Sequence, residues 1–161
     1  MMGSGKSSVG RTLSEVSGRP FQDTDLMLQN KLGRSIPQIF QIYGEDAFRE
    51  HETSILRALE PSEIVLATGG GIVCREENWA ELRRLGTIVY LRASLQTLYE
   101  RLDSSKKKRP LLADDSWRER LRTLLEARNG FYEQADRVVE VDEKSLEEVA
   151  EAILRALGGT P

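Results

Sequence analysis

At 161 residues, 39% hydrophobic and 30% charged, the sequence suits one soluble domain spanning 1–161, with a core of its own and no apolar run long enough to cross a membrane. A formal net charge of −3 argues against a general nucleic-acid binder, so any anionic ligand must be held by locally placed cations. The only cysteine, Cys74, rules out an intramolecular disulfide and suits a reducing compartment, and the single histidine, His51, excludes a histidine-rich zinc site. The N-terminus lacks the basic-then-apolar pattern of a signal peptide, so a cytoplasmic protein is expected, and separately a monomer.

The chain opens on Gly3-Ser4-Gly5-Lys6-Ser7-Ser8. Glycines let backbone N–H groups crowd an anion, and a helix starting at Lys6 adds free donors and a positive dipole end. Lys6 is then placed for the outer phosphates and the Ser7 hydroxyl for magnesium. The complete phosphate-loop pattern needs a further glycine just before Met1. A flexible Gly/Ser terminus is the competing, less favoured reading of the hexapeptide alone.

Val9, Leu13 and Val16 predict a helix from Lys6 to about Ser17, stopped near Gly18. A short strand through Phe21 ends in Asp23-Thr24-Asp25, and Leu26, Leu28 and Leu32 predict a second helix closed by Gly33. Ser35 caps a turn through Pro37 to Tyr43; Gly44 breaks it, and a longer helix runs from Glu45 to Leu59. The clearest buried strand, Ile64-Val65-Leu66-Ala67, leads into Thr68-Gly69-Gly70-Gly71. A helix from Glu76 to Leu85, a strand from Thr87 to Leu91 and a helix from Ser94 to Leu102 follow. Residues 103–115, with Lys106-Lys107-Lys108-Arg109-Pro110, have no apolar period and predict a long loop of the kind that forms lids. Helix from Trp117 to Ala135, strand from Arg137 to Val141 and an amphipathic helix through Leu157 complete the chain. Strands alternate with helices and no hairpin signal appears, which predicts an α/β fold with a parallel sheet sandwiched by helices.

Several residues could carry chemistry. Asp23 and Asp25 near phosphates suggest magnesium and hydroxyl recognition, against an ordinary acid-rich helix start. Arg49 and Glu52, at i and i+3, share a helical face, as a surface ion pair or as an arginine fork for a carboxylate oriented by the glutamate. Gly69, Gly70 and Gly71 after a buried strand imply close backbone approach to something, against a plain flexible turn. Arg128, followed by Tyr132, is a second anion clamp or a surface residue. His51 and Cys74 have no nameable partner and read as structural.

Together, in this order and spacing, these pieces resemble the shikimate kinase family, small P-loop kinases of aromatic amino-acid biosynthesis. The likeness also takes in Gly33-Arg34-Ser35-Ile36, Gly44-Glu45 with Phe48-Arg49, and Arg109-Pro110-Leu111-Leu112, and covers almost the whole chain. It implies a P-loop NTPase-type parallel sheet, a mobile lid, and transfer of the ATP γ-phosphate to the 3-hydroxyl of shikimate. By position it gives Gly3, Ser4, Gly5, Lys6, Ser7 and Ser8 to ATP, and Ser7 and Asp23 to Mg2+. Asp25 orients or deprotonates the attacking hydroxyl. Arg49 and Arg128 clamp the substrate carboxylate, Gly69, Gly70 and Gly71 line the substrate, and Arg109 lies over the phosphates. Competing readings are another small P-loop kinase, acting on gluconate or a nucleoside monophosphate, and a non-catalytic shikimate-binding protein.

The departure is at the front. In this family a strand precedes the phosphate loop and lies mid-sheet, between the strands expected here at 64–68 and 87–91. This chain has no residues for it. About four buried aliphatic side chains amount to roughly 6–12 kcal/mol of burial. A typical domain's whole stability is about 5–15 kcal/mol. The preferred expectation is that Met1 is an internal methionine of a longer chain. The competing one is a short chain that folds poorly, is completed by another chain, or is inactive.

Overall fold

A computed structural model describes residues 1–105 and 116–158. The lid expected at 103–115, apart from its first three residues, lies outside them, and Arg109 with it. Helix α1 (Lys6–Ser17) begins where the Gly/Ser run ends, with Gly5 at φ 90° before it and Gly18 at φ 69° closing it. Both are left-handed conformations that a Cβ disfavours. Strand β1 (Phe21–Asp23) passes directly into α2 (Thr24–Leu32). Asp23 Oδ1 accepts from the N–H groups of Asp25 and Leu26 at 2.9 and 3.4 Å, so the last strand residue is also the helix cap. Helix α3 (Ile36–Ala58) is two helices meeting at Gly44, whose φ of 78° and ψ of 176° interrupt the ladder at the expected break.

Strand β2 (Val65–Ala67) leads through the three glycines to a short 3₁₀ turn (Ile72–Cys74), which the sequence pattern did not announce, and to α4 (Glu77–Leu85). Strand β3 (Val89–Arg92) starts two residues later than expected. The cause is distant in sequence: Asp136 Oδ2 accepts the Ile88 N–H at 2.8 Å, so the ladder begins only after it. The same turn ends α6 (Trp117–Tyr132) three residues early and feeds β4 (Arg137–Glu140). Between them, α5 (Leu95–Asp103) is capped by Ser94 Oγ, which accepts the Thr97 N–H at 3.2 Å. Helix α7 (Leu146–Ala156) opens on a reciprocal Ser145–Glu148 capping box.

All pairing is parallel, β1 with β2 and β3 with β4, Phe21 lying opposite Val65 and Val89 opposite Arg137. The single expected sheet is therefore two separate two-stranded pieces. Among the described residues β2 and β3 each have one ladder partner. Between them lies a cavity of about 550 Å³, with residues 64–70 on one wall and 86–91 on the other. The gap falls where the sequence reading puts the absent central strand. Helices hold the pieces together: α1 packs on α7 and on β2, and a core cluster joins Val9, Leu91, Leu98, Leu121 and Ile153. A second cluster, Leu28, Ile39, Phe48 and Ile55, fixes α2 against α3. That packing sets the spacing of Asp25 and Arg49.

Candidate active site

The phosphate loop is shaped but folded back on itself. Gly3 and Gly5 both have positive φ, and a Cβ on Gly3 would press on Leu98 and Leu102. Lys6 Nζ and the buried Ser4 hydroxyl both donate to the Met1 carbonyl, at 2.6 and 2.9 Å. Arg101 donates to the Ser4 carbonyl at 3.1 Å and to Val141 at 3.3 Å, fixing the loop from its outer side. No side chain caps α1, so its first turn points backbone donors outward. Ser7 Oγ donates to Asp23 Oδ2 at 2.7 Å, which links the loop to the β1–α2 junction.

Those two oxygens suit magnesium, a hard cation that takes one or two protein oxygens and fills its shell with water and phosphate. Among the described residues no larger cluster of acidic, histidine and cysteine side chains forms a metal cage.

The other half of the candidate site is built around Arg49. It is buried, donating to Glu52 Oε2 at 2.6 Å and to Glu45 Oε1 at 2.8 Å. Burial opposes the charge on Arg49, but Glu52 and Glu45 outweigh it and raise its pKa. Burial pushes the Glu52 carboxyl up, Arg49 holds it back, and Asp25 adds to the rise. Among the described residues Glu52 Oε1 has no hydrogen-bond partner. A surface ion pair is thus the wrong description; the side-chain exposures are 11% and 2%.

The glycine run explains that burial. A Cβ on Gly71 would collide with the Arg49 guanidinium, one on Gly69 with Glu52 and Asp25, and one on Gly70 would crowd the Met1–Met2 backbone. The close approach inferred from sequence is therefore to the protein's own charged side chains and first residues. Gly69 N–H is already used, donating to the buried Thr24 hydroxyl at 3.2 Å. On the far side Arg128 is buried and acts electrostatically on both Glu52 and the Met1 amine. Tyr132, one turn on, donates to the Gly70 carbonyl at 2.6 Å and stacks on Tyr90; burial, with Arg128 opposing, pushes its pKa up to about 12.

Asp25, Arg49, Glu52, Gly69, Gly71 and Arg128 thus converge on one side, and Lys6, Ser7 and Asp23 on the other. A model of the family described as "Shikimate kinase" matches residues 2–158. The chain belongs to the shikimate kinase family. It is 43% identical to the shikimate kinase of Symbiobacterium thermophilum over 98% of this chain and 92% of that one. It is 40% identical to that of Enterococcus faecalis over 97% and 94%. The structure of an Acinetobacter baumannii shikimate kinase in complex with shikimate superposes with a TM-score of 0.91, at 37% identity, over 97% of this chain and 88% of the other. A gluconokinase from Sinorhizobium meliloti, at TM-score 0.61 and 24% identity over 97% and 86%, shares the fold.

Three neighbours of the candidate site have no role in the sequence reading, although Thr24 and Glu45 fall within motifs it quotes. Glu45 sits four residues before Arg49, a spacing that could have flagged it. Thr24 and Arg101 reach Gly69 and Ser4 across long sequence separations and left no local signal. His51 packs edge-on to Tyr43, and Cys74 is a half-buried free thiol.

Proposed function

We propose that this chain transfers the γ-phosphate of ATP to the 3-hydroxyl of shikimate. The observation that carries the reading is Arg49: a buried guanidinium, oriented by Glu52 and pressed by the Gly71 backbone, beside Asp25 and Arg128. A planar fork so placed suits a small carboxylate. Glu45, whose side chain is 47% exposed, is the partner that an incoming carboxylate would displace from Arg49, with Glu52 staying in place. Arg128 supplies the second positive charge. Asp25 orients the attacking hydroxyl or takes its proton, and Gly69, Gly70 and Gly71 line the ring.

On the other side, Gly3, Ser4, Gly5 and Ser8 wrap the phosphates through backbone donors. Lys6 moves from the Met1 carbonyl to the β- and γ-phosphates. Ser7 and Asp23 would hold magnesium, which when bound would neutralise phosphate charge. Arg109, beyond the described residues, is assigned to the phosphates on the family resemblance. Phosphoryl transfer asks mainly for positioning and charge neutralisation, and these residues supply both.

A coupled ATPase assay with shikimate, gluconate and nucleoside monophosphates tests the reading. Turnover with shikimate alone supports it; turnover only with a nucleotide acceptor overturns it. Shikimate binding in calorimetry without ATP binding would instead favour the non-catalytic alternative. The same reading takes 1–161 as one kinase domain acting as a cytoplasmic monomer on a small molecule, neither on nucleic acid nor at a membrane. Among the described residues no helix is long and apolar enough to cross a membrane. Sedimentation and cell fractionation test the remainder.

A further inference from the structure

The half of the site built around Arg49 is fastened from behind by a helix that carries none of its charges. After β2 the chain is tied at three points. Thr24 Oγ1 accepts the Gly69 N–H, Tyr132 donates to the Gly70 carbonyl, and the third tie lies just beyond Gly71. There the 3₁₀ turn Ile72–Cys74 gives way to Arg75, which is extended at φ −100° and ψ 123°. A helical turn that stops leaves its last carbonyls without backbone partners. Two side chains from the first turn of α4 meet them. Asn78 Nδ2 donates to the Ile72 carbonyl at 2.7 Å, and Trp79 Nε1 donates to the Val73 carbonyl at 2.9 Å. A carbonyl only accepts, so Asn78 must present its nitrogen there and turn its Oδ1 elsewhere.

For stability alone, Asn78 is a poor choice. It is 1% exposed, it occupies the second position of α4, and among the described residues its buried Oδ1 has no hydrogen-bond partner. Such an unpaired acceptor is costly, and asparagine is a weak helix former. Local rules are broken in this way where a functional requirement outweighs them. The requirement here is at Gly71. No Cβ fits between Gly71 and the Arg49 guanidinium, so the backbone cannot shift inward, and the turn beyond it resists a shift outward. Ile72 sets the depth of that turn, fully buried against Leu56 of α3 and Leu82 of α4. The two donors from α4 set its rotation.

We propose that Asn78, supported by Trp79, is a positioning residue for the substrate of the kinase reading, on which this inference rests. By holding the Ile72 carbonyl, it fixes the Gly71 backbone against Arg49 and so the plane in which the guanidinium meets a small carboxylate. Glu52 and Glu45 hold Arg49 along its own helix, while Gly71 confines it from across the site. A fork must meet two oxygens in one plane, so a small tilt is felt in binding before it is felt in folding. Asn78 acts through Gly71 and Arg49 and takes no part in the chemistry.

The test titrates shikimate and, separately, ATP calorimetrically into four chains: unsubstituted, Asn78→Leu, Trp79→Phe and Gly33→Ala. Leucine has the branching of asparagine and removes the unpaired oxygen together with the donor. Asn78→Leu should weaken shikimate binding by about tenfold and leave ATP binding within about twofold. Trp79→Phe, which keeps the ring and loses only the N–H, should weaken shikimate by about threefold, again without a change for ATP. It carries the same test should Asn78→Leu fail to fold. Gly33→Ala is the control for lost stability, with a lower melting midpoint and both affinities unchanged. A merely structural role would make the α4 variants behave like Gly33→Ala, or weaken both ligands together, and either result would overturn the proposal. An unsubstituted chain that binds no shikimate would overturn the kinase reading and this proposal with it. Equal shikimate binding with asparagine and leucine at 78 would overturn the proposal alone.

Discussion

The two halves of the site are held in different ways. In the half built around Arg49 three charges are buried and held: Arg49 by Glu52 and Glu45, Glu52 under Gly69, Arg128 beside Tyr132. That side stands on α2 and α3, which have a core cluster of their own. On the phosphate side, Lys6 and Ser4 turn back onto the Met1 carbonyl, and the strands beneath are split by a cavity. The lesson is that preorganisation is local. A buried charge cluster packed by its own helices stays formed while the neighbouring loop depends on the sheet under it.

The largest expected effect lies on the phosphate side. Lys6→Met should lower kcat by about 10³-fold, since charge on the transferring phosphoryl group is what such a site chiefly neutralises. Shikimate affinity by calorimetry should stay within about twofold. A comparable loss of shikimate binding would mean that the two halves are not separate.

Arg49→Ala probes the other half. Loss of the fork should weaken shikimate binding by about 100-fold while ATP binding changes little. Equal losses for both ligands would contradict the assignment. The variant should also melt lower, because Glu52 is left buried without its partner, at a cost of about 3–5 kcal/mol. Adding Glu52→Gln should recover part of that stability without restoring binding.

Gly71→Ala is a gentler version of the same test. Gly71 has φ −101°, which alanine adopts freely, so its cost arises only where the new methyl meets the Arg49 guanidinium. Shikimate binding should fall about tenfold, as for a displaced charge-assisted hydrogen bond. Gly33→Ala is the contrast: φ is 62° and nothing lies within 4 Å of the new methyl. It should cost about 1–2 kcal/mol of stability and leave both ligands' binding unchanged. If Gly33→Ala weakened shikimate as much, the effect of Gly71 would be general strain.

What could be read in advance divides along the same line. Helix starts and stops were legible because their causes are local: Gly18 and Gly33 past the ends, Gly44 at the break, Glu148 three residues after Ser145. The phosphate-loop residues were legible for the same reason. The burial of Arg49 was not, since spacing shows that Arg49 and Glu52 share a face but not that Gly69 to Gly71 cover it. Nor were the ends of β3 and α6, which depend on Asp136 reaching the Ile88 amide across 48 residues. The family resemblance grouped Asp25, Arg49 and Arg128, which the structure brings to one side, while composition alone left each pair as a plausible surface feature.

Tyr132 joins the halves and supplies the smallest test. Its hydroxyl donates to Gly70 on the substrate side and meets the Met1 sulfur, at 3.4 Å, on the phosphate side. Tyr132→Phe should cost about 1 kcal/mol near pH 8, the usual net worth of one hydrogen bond. The sign changes in alkali. The phenol titrates at about 12 in the folded chain against 10.0 unfolded, so the unfolded state loses its proton first. Stability from Tyr132 is therefore complete below pH 10 and falls as pH climbs toward 12, by roughly 2–3 kcal/mol in all. Urea unfolding of both chains from pH 8 to 12 should show the tyrosine chain ahead at first and behind at the end. Parallel curves would mean that Tyr132 ionises as freely folded as unfolded, and that the junction is open to water.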